Sequence, residues 1–314
     1  MTHRALPAAA VLCLAVLTSA CSSSTEAASE TSASAAPAPS LAQDAALHEM
    51  LPEEVKSSGS LTLGALWETP PMIGVDPADT STPVGVAPDL AAALGQVLGV
   101  QVQWQNMQWP AQLPGVQSGA VDALMGQVTD TAEREQSVVD LVPFYKSTES
   151  LLLPKDNPEG VQSLKDMCGL TVGVPVGSTQ SETVTAVSDA SCAGNAIELA
   201  EYQGATAAIS AVRAGTVDAW LDTTTTQEQA VQASSGAFVA QVLPEDESPA
   251  NLTAIAVGKA NPGLSNALAG AVKALINDGT YADVLAAHEV QAAAISAEEV
   301  VVNPITGTAP GAGA

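Results

Sequence analysis

The stretch "SGAVDAL", residues 118–124, returns as "AGTVDAW", residues 214–220. Each copy is a turn of small residues that feeds a short apolar run. An earlier pair behaves the same way, because "LTLG" at residues 61–64 recurs as "LTVG" at residues 170–173. The two motifs keep their order and a similar spacing in both halves. Each half therefore reads as a strand, then helices, then a glycine turn into a second strand. Alternating strands and helices argue for an α/β fold with mainly parallel sheets. The expected architecture is two α/β lobes.

Open α/β sheets bind ligands beyond the carboxyl ends of their strands. Four loops follow such ends here: "WETPPM" (67–72), "GQVTDTAER" (126–134), "PVGSTQ" (175–180) and "LDTTTTQE" (221–228). Two belong to each half, so a ligand that touches all four lies between the lobes. After the second half, "NLTAIAVGKANP" reads as a further strand. "GLSNALAGAVKALINDGTYADVLAAH" reads as two helices broken at residues 277–279. Returning these elements to the first half requires two crossings between lobes, near residues 146–150 and 245–250. The expected boundaries are 56–148 with 246–304 for lobe 1, 149–245 for lobe 2, and a loose tail at 305–314.

The N-terminus reads differently. "MTHR" supplies positive charge, "ALPAAAVLCLAVL" an apolar core, and "TSAC" small residues before a cysteine. Residues 1–20 are read as a secretory signal. "LTSAC" looks like a bacterial lipobox, which implies cleavage before Cys21 and a lipid on its sulfur. Two acyl chains give stable anchoring where one does not. Residues 21–55 then read as a lipidated flexible tether, because the Ser/Ala/Pro-rich start cannot build a core. Cys168 and Cys192 remain in an exported chain. They are expected to form a disulfide, with a pair of buried free thiols as the alternative.

The chain carries 9 basic and 34 acidic residues, a formal charge of −25. Such a surface repels nucleic acid. No apolar run past the signal is long enough to span a membrane. No His/Cys/Asp cluster has metal-ligand spacing, and phosphate-loop and dinucleotide motifs are absent, so neither metal nor cofactor is expected.

One residue resists a purely structural reading. In "VTDTAER" (128–134), Thr131 suits a helix N-cap, which puts Arg134 in the first turn. A cation there costs about 0.3–1 kcal/mol at an exposed site. The residue types leave two readings open: a ligand-gripping arginine, or one paired with Glu133 or Asp140.

Taken together, "LTLGALWETPPM", "VGVAPDLAAALGQVLGV", "WPAQLPGVQSGAVDALMGQVTDTAERE", "VDLVPFYKS", "SLKDMCGLTVGVPVGSTQ", "VRAGTVDAWL" and "ALAGAVKALINDGTYADVL" carry a recognisable order. The chain resembles the family 3 extracellular solute-binding proteins, the polar amino-acid class that serves ABC importers. The resemblance covers residues 58–304. It implies a periplasmic-binding-protein-like fold, with two lobes that close on a ligand about a two-stranded hinge. It also implies a monomer that captures an amino acid or amino-acid-like solute and delivers it to a membrane permease, outside the cytoplasm.

The resemblance carries roles to particular residues. Arg134 matches the arginine that grips the ligand's α-carboxylate, for which a planar guanidinium fork is well shaped. Ser178 and Thr179 match the strand-to-helix turn whose N–H groups hold the same carboxylate. Trp109 matches an aromatic laid against the ligand side chain. Gln127 and Thr129 match positions that receive the ammonium. Thr69 stands where the family usually has an aromatic. The usual aspartate for the ammonium is replaced by Thr223, with Asp222 one residue earlier. A one-residue shift in a strand turns a side chain to the other face. Either a local bulge lets Asp222 reach, or the ammonium is recognised differently, with Glu68 as a possible substitute. Two other functions remain open on these residues: a cleft enzyme of the cyclohexadienyl dehydratase type, and a sensor that presents ligand to a receptor.

Overall fold

The computed structural model describes residues 41–76 and 78–312. The signal, Cys21 and the start of the tether lie outside the described residues. The strands are β1 (Ser60–Ala65), β2 (Gly74–Val75), β3 (Pro83–Val84), β4 (Gln101–Asn106), β5 (Ala123–Thr129), β6 (Val139–Ser147), β7 (Glu149–Pro154), β8 (Thr171–Pro175), β9 (Glu198–Tyr202), β10 (Ala219–Thr223), β11 (Phe238–Val242) and β12 (Asn251–Gly258). The helices are α1 (Ala45–Glu49), α2 (Glu53–Ser58), α3 (Val86–Leu98), α4 (Trp109–Gln117), α5 (Ala132–Ser137), α6 (Thr179–Ser191), α7 (Ala205–Ala214), α8 (Thr224–Ala233), α9 (Pro262–Asp278) and α10 (Thr280–Ala287).

Two five-stranded sheets result, in the orders β4-β1-β5-β12-β6 and β11-β7-β10-β8-β9. The repeated motifs supply β1 and β5 in one sheet and β8 and β10 in the other. In each sheet two pairings are parallel and two are antiparallel. The sheets are thus mixed rather than mainly parallel. The antiparallel pairs come from the strands that carry the chain between lobes. β6 runs into β7 across Thr148, and β11 reaches β12 through residues 243–250. The crossings touch: Leu243 N donates to Glu149 O at 2.9 Å, and Ser248 Oγ to Glu149 Oε2 at 2.7 Å.

Helices cover the sheets because their apolar faces require it. Val86, Leu90, Leu94, Val97 and Leu98 of α3 are buried at helical spacing, and α3 ends at Gly99 with φ 68°. That left-handed conformation suits glycine at a helix end. Leu264, Leu268, Val272 and Leu275 bury the matching face of α9. The break expected at residues 277–279 falls at Gly279, φ 93°, between α9 and α10.

Two expectations about the ends need correction. The tether was read as far as residue 55, yet α1 and α2 are folded there. Asp44 caps α1 through Oδ1 to the amides of Ala46 and Leu47, and Leu51 and Val55 are buried in the lobe 1 core. Their apolar periodicity is diluted by alanine, glutamate and Pro52, so composition concealed it. The tail at 305–314 is not loose through residue 312. Ile305 N and Thr306 N donate to the buried Glu135, and Gly311 N donates to the buried Asp140. Small and proline-rich segments can be tied down by backbone hydrogen bonds, which composition does not reveal.

Cys168 and Cys192 form a disulfide, with Cα atoms 5.3 Å apart. It joins the turn after Met167 to the end of α6. No helix among the described residues is long and apolar enough to cross a membrane.

Candidate functional site

A cavity lies between the sheets, at the carboxyl ends of β1, β4 and β5 on one side and β8, β9 and β10 on the other. Of the sequence candidates, Thr69, Trp109, Gln127, Thr129, Ser178, Thr179 and Asp222 line it. Glu68 and Arg134 do not. The enclosed space is about 60 Å³, far below the roughly 300–1,000 Å³ of ordinary small-molecule pockets.

The small volume follows from direct contacts between lobes. Gln127 Nε2 donates to Thr223 Oγ1 at 2.8 Å and to Thr226 Oγ1 at 2.9 Å. Trp109 Nε1 donates to Gly177 O at 3.3 Å, and Thr179 Oγ1 to Thr129 Oγ1 at 3.4 Å. Glu68 also reaches across. A methyl group on Gly204 would stand 2.6 Å from Glu68 Oε2, which places the Glu68 carboxylate against this turn.

Thr131 caps α5, and its Oγ1 accepts the amide of Arg134 at 3.2 Å. α5 has six residues, so Arg134 is also within its last turn. The expected helix-end penalty is accordingly weak. The Arg134 guanidinium donates from Nη1 to Thr129 O at 2.7 Å and stacks over the Trp109 ring, 5.4 Å from its centroid. No ion pair joins Arg134 to an acid among the described residues. Asp140 is instead bound by Lys259, Ser265 and Asn303. Burial lowers the pKa of Arg134, opposed by the charges of Glu182, Glu133 and Asp130. Arg134 thus sits directly behind two cavity walls, with a fork of N–H donors only partly used.

Ser178 caps α6, accepting Ser181 N at 3.4 Å, and Thr179 opens the helix. This strand-to-helix turn faces the α5 side of the cleft, as the Thr179–Thr129 contact demonstrates. Asp222 and Thr223 both line the cavity. Asp222 is the penultimate residue of β10. Its Oδ1 accepts Thr223 N at 2.7 Å where the strand turns into α8. Burial pushes its pKa up to about 7, with Glu149 adding like charge.

The sequence reading missed part of the wall. Gln112 of α4, the turn Gln203–Gly204–Ala205 and Trp220 also line the cavity. The missed turn follows β9. It is the lobe 2 counterpart of the segment before α4, so the internal repeat carried the signal: any turn after a parallel strand in one half has a partner in the other.

The chain is 35% identical over 99 residues to the arginine-binding extracellular protein ArtP of Bacillus subtilis, a match covering 32% of this chain but only 38% of that protein. It is 26% identical over 229 residues to the L-arginine-binding protein of Pseudomonas aeruginosa, covering 69% of this chain and 86% of that one. The solved structure of an ancestral arginine-binding protein bound to glutamine is similar at a TM-score of 0.66 and 28% identity, covering 74% of this chain and 98% of the other. The model of the bacterial extracellular solute-binding proteins, family 3, matches residues 61–288, and the chain belongs to that family.

Proposed function

We propose that this protein captures an amino acid or an amino-acid-like solute between its lobes and hands it to an ABC permease, while a lipid on Cys21 holds it at the outer face of the cell membrane as a monomer. The observation that carries the reading is the cavity itself, which lies at the carboxyl ends of three strands from each lobe. Arginine- and glutamine-related names among the similar proteins support an amino-acid ligand.

The enclosed volume sets the mechanism. A free amino acid needs more room than about 60 Å³, so the lobes part about the two crossings to admit it and close over it. A ligand biases that equilibrium only by its affinity difference between open and closed forms. Arg134, behind Thr129 and Trp109, offers unused donors to a carboxylate entering from the lobe 1 side. The Ser178–Thr179 turn offers backbone N–H groups from lobe 2. A carboxylate held by both exists only in the closed form, which supplies the difference.

His48 Nδ1 lies against Leu98 O and His288 Nε2 against Asp89, both away from the cavity. This supports binding rather than proton-transfer chemistry by histidine. The deciding experiment is a thermal-shift screen with amino acids, betaines, ectoines and small peptides. A ligand at 100 times its dissociation constant adds about 2.7 kcal/mol. A flat response to every solute rejects the reading, and turnover of prephenate replaces it with cleft catalysis.

A further inference from the structure

We propose that residues 303–311 are a positioning element for solute capture: they hold the Glu135 carboxylate, so that α5 keeps the Arg134 guanidinium aimed at an incoming carboxylate. The inference rests on the solute-binding reading of the cleft. It extends that reading to a segment outside residues 61–288, the part of the chain that matches the family model.

The argument starts from α5. This helix has six residues, and helices shorter than about 12–15 residues are marginal in water without packing. Glu135 is the buried residue of α5. The helix is therefore anchored by a carboxylate rather than by an apolar side chain. A buried carboxylate is costly unless it is hydrogen-bonded. Ile305 N and Thr306 N supply the bonds, at 3.0 and 2.7 Å. Bonds to an ionised acceptor are roughly twice as strong as neutral ones. Helix and segment thus depend on each other.

The segment is itself fixed to lobe 1. Asn303 is fully buried against β6, the edge strand of its sheet. Its N donates to Leu141 O at 2.9 Å, and its Oδ1 accepts Leu141 N at 2.9 Å. Its Nδ2 reaches Asp140 Oδ1 and Thr308 O, and Gly311 N donates to Asp140 Oδ2 at 2.8 Å. Asp140 is paired in turn with Lys259 at 3.2 Å. Residues 303–311 therefore carry the rigidity of the sheet to Glu135. From Glu135 the path to the cavity is short. Arg134 precedes it on α5, bonds Thr129 O from Nη1 and covers the Trp109 ring. Thr129 and Trp109 both line the cavity. Asp130, 4% exposed, follows Thr129 in the chain and contacts the Glu135 carboxyl.

Without these bonds the Glu135 carboxylate loses its donors, α5 loses its anchor, and Arg134 is in place only part of the time. Apparent affinity falls with the fraction of molecules in the competent form, so a tenth in place means about tenfold weaker binding. Glu135, Ile305 and Thr306 do not line the cavity. They act as positioning residues, and their effect runs through Arg134.

The test is isothermal titration calorimetry of the intact soluble body, residues 22–314, with L-arginine, L-glutamine and glycine betaine. Wild type is compared with Glu135→Ala, Glu135→Gln and Thr306→Pro, each alone and combined with Arg134→Ala, all with native circular dichroism. Thr306→Pro removes one donor and leaves the sequence of α5 intact, so it decides the matter if Glu135→Ala does not fold. Glu135→Ala and Thr306→Pro should weaken binding about tenfold. Glu135→Gln keeps an acceptor for an amide and should stay within about threefold of wild type. In the Arg134→Ala background neither of the first two changes should weaken binding further. Trp109 emission, taken as the difference between each protein and its Trp109→Phe counterpart, reads the Arg134 stack without solute. It should shift in the same two variants and return in Glu135→Gln. A merely structural role would lower the melting temperature, leave this emission unmoved and add its loss to that of Arg134→Ala. Affinity within threefold of wild type in both Glu135→Ala and Thr306→Pro overturns the inference. So do losses that add fully to that of Arg134→Ala, or an unmoved Trp109 emission. Each of these leaves the solute-binding reading standing, whereas a wild type that binds none of the three solutes overturns both.

Discussion

Gln127 Nε2 on β5 and Thr223 Oγ1 at the end of β10 are 2.8 Å apart, and they belong to different lobes. The same amide reaches Thr226 Oγ1, and the two hydroxyls bond each other at 3.0 Å. One side chain thus spans the cleft to the end of β10 and the start of α8. Each such neutral bond is worth about 0.5–1.5 kcal/mol net. Gln127→Ala should shift the lobes toward the open form. Small-angle scattering should record a larger radius of gyration, and solute affinity should fall about tenfold. An unchanged radius would show that other contacts hold the lobes together.

Among the described residues, the Arg134 guanidinium makes one hydrogen bond and one stack on Trp109, with no ion-paired acid. Its removal should cost little stability, on the order of 1 kcal/mol for the stack and bond. If it grips the ligand carboxylate, Arg134→Ala loses about 2–5 kcal/mol of binding, the range for breaking a buried charged contact. Calorimetry that finds affinity within about threefold of wild type, roughly 0.6 kcal/mol, would remove Arg134 from the site.

The fold was legible because it is written twice. The paired "LTLG"/"LTVG" and "VDA" motifs placed β1, β5, β8 and β10 and the loops that end them. What escaped was set by contacts across sequence distance. Leu51 and Val55 are recognisable as core only once α3 and α9 are in place. The tail after Asn303 is ordered by Glu135 and Asp140, more than 160 positions away. The mixed strand directions depend on how the two crossings pair, which no local periodicity records. At the site, residue types were readable, but the contacts that bring Gln127 to Thr223 depend on how the lobes meet.

The Cys168–Cys192 bridge closes a loop with a sequence separation of 24. In the chain-entropy model such a crosslink stabilises by about 3–4 kcal/mol. Cys168→Ser with Cys192→Ser should therefore lower the melting temperature clearly, and mass spectrometry without reductant should find no free thiol in the wild type. Two free thiols in the wild type would refute the bond.

The C-terminal segment is fastened by a single carboxylate at its near end. Glu135 is fully buried and accepts Ile305 N at 3.0 Å and Thr306 N at 2.7 Å. Glu135→Ala strands these partly buried donors, which costs about 1–3 kcal/mol. Hydrogen exchange should rise at residues 305–306 before it rises in β6 or β12. Equal acceleration throughout lobe 1 would mean that the segment does not open as a separate unit.

Asp130 sits beside this fastening and sets a pH dependence of its own. It is 4% exposed, and among the described residues neither carboxyl oxygen has a hydrogen-bond partner that would favour its charge. Burial, followed by contact with the Glu135 carboxyl, pushes its pKa up to about 8, with Arg134 pulling the other way. For Glu135, burial works upward, yet bonds from Thr306, Ile305 and Asp130 overcome it and hold its pKa low. With the two carboxyls this close, Asp130 is the one whose protonated form the fold favours. The folded chain holds that proton, while the unfolded chain releases it above about pH 4. Stability from this group is present at low pH and is lost as pH rises toward 8, by up to about 1.4 kcal/mol per unit. Asp130→Asn puts an N–H donor where the proton was, without a titrating group. The variant should match wild type in denaturant melts near pH 4 and exceed it near pH 8, where the wild type has lost its contribution. Parallel stability profiles for the two proteins across that range would show that Asp130 ionises normally in the fold.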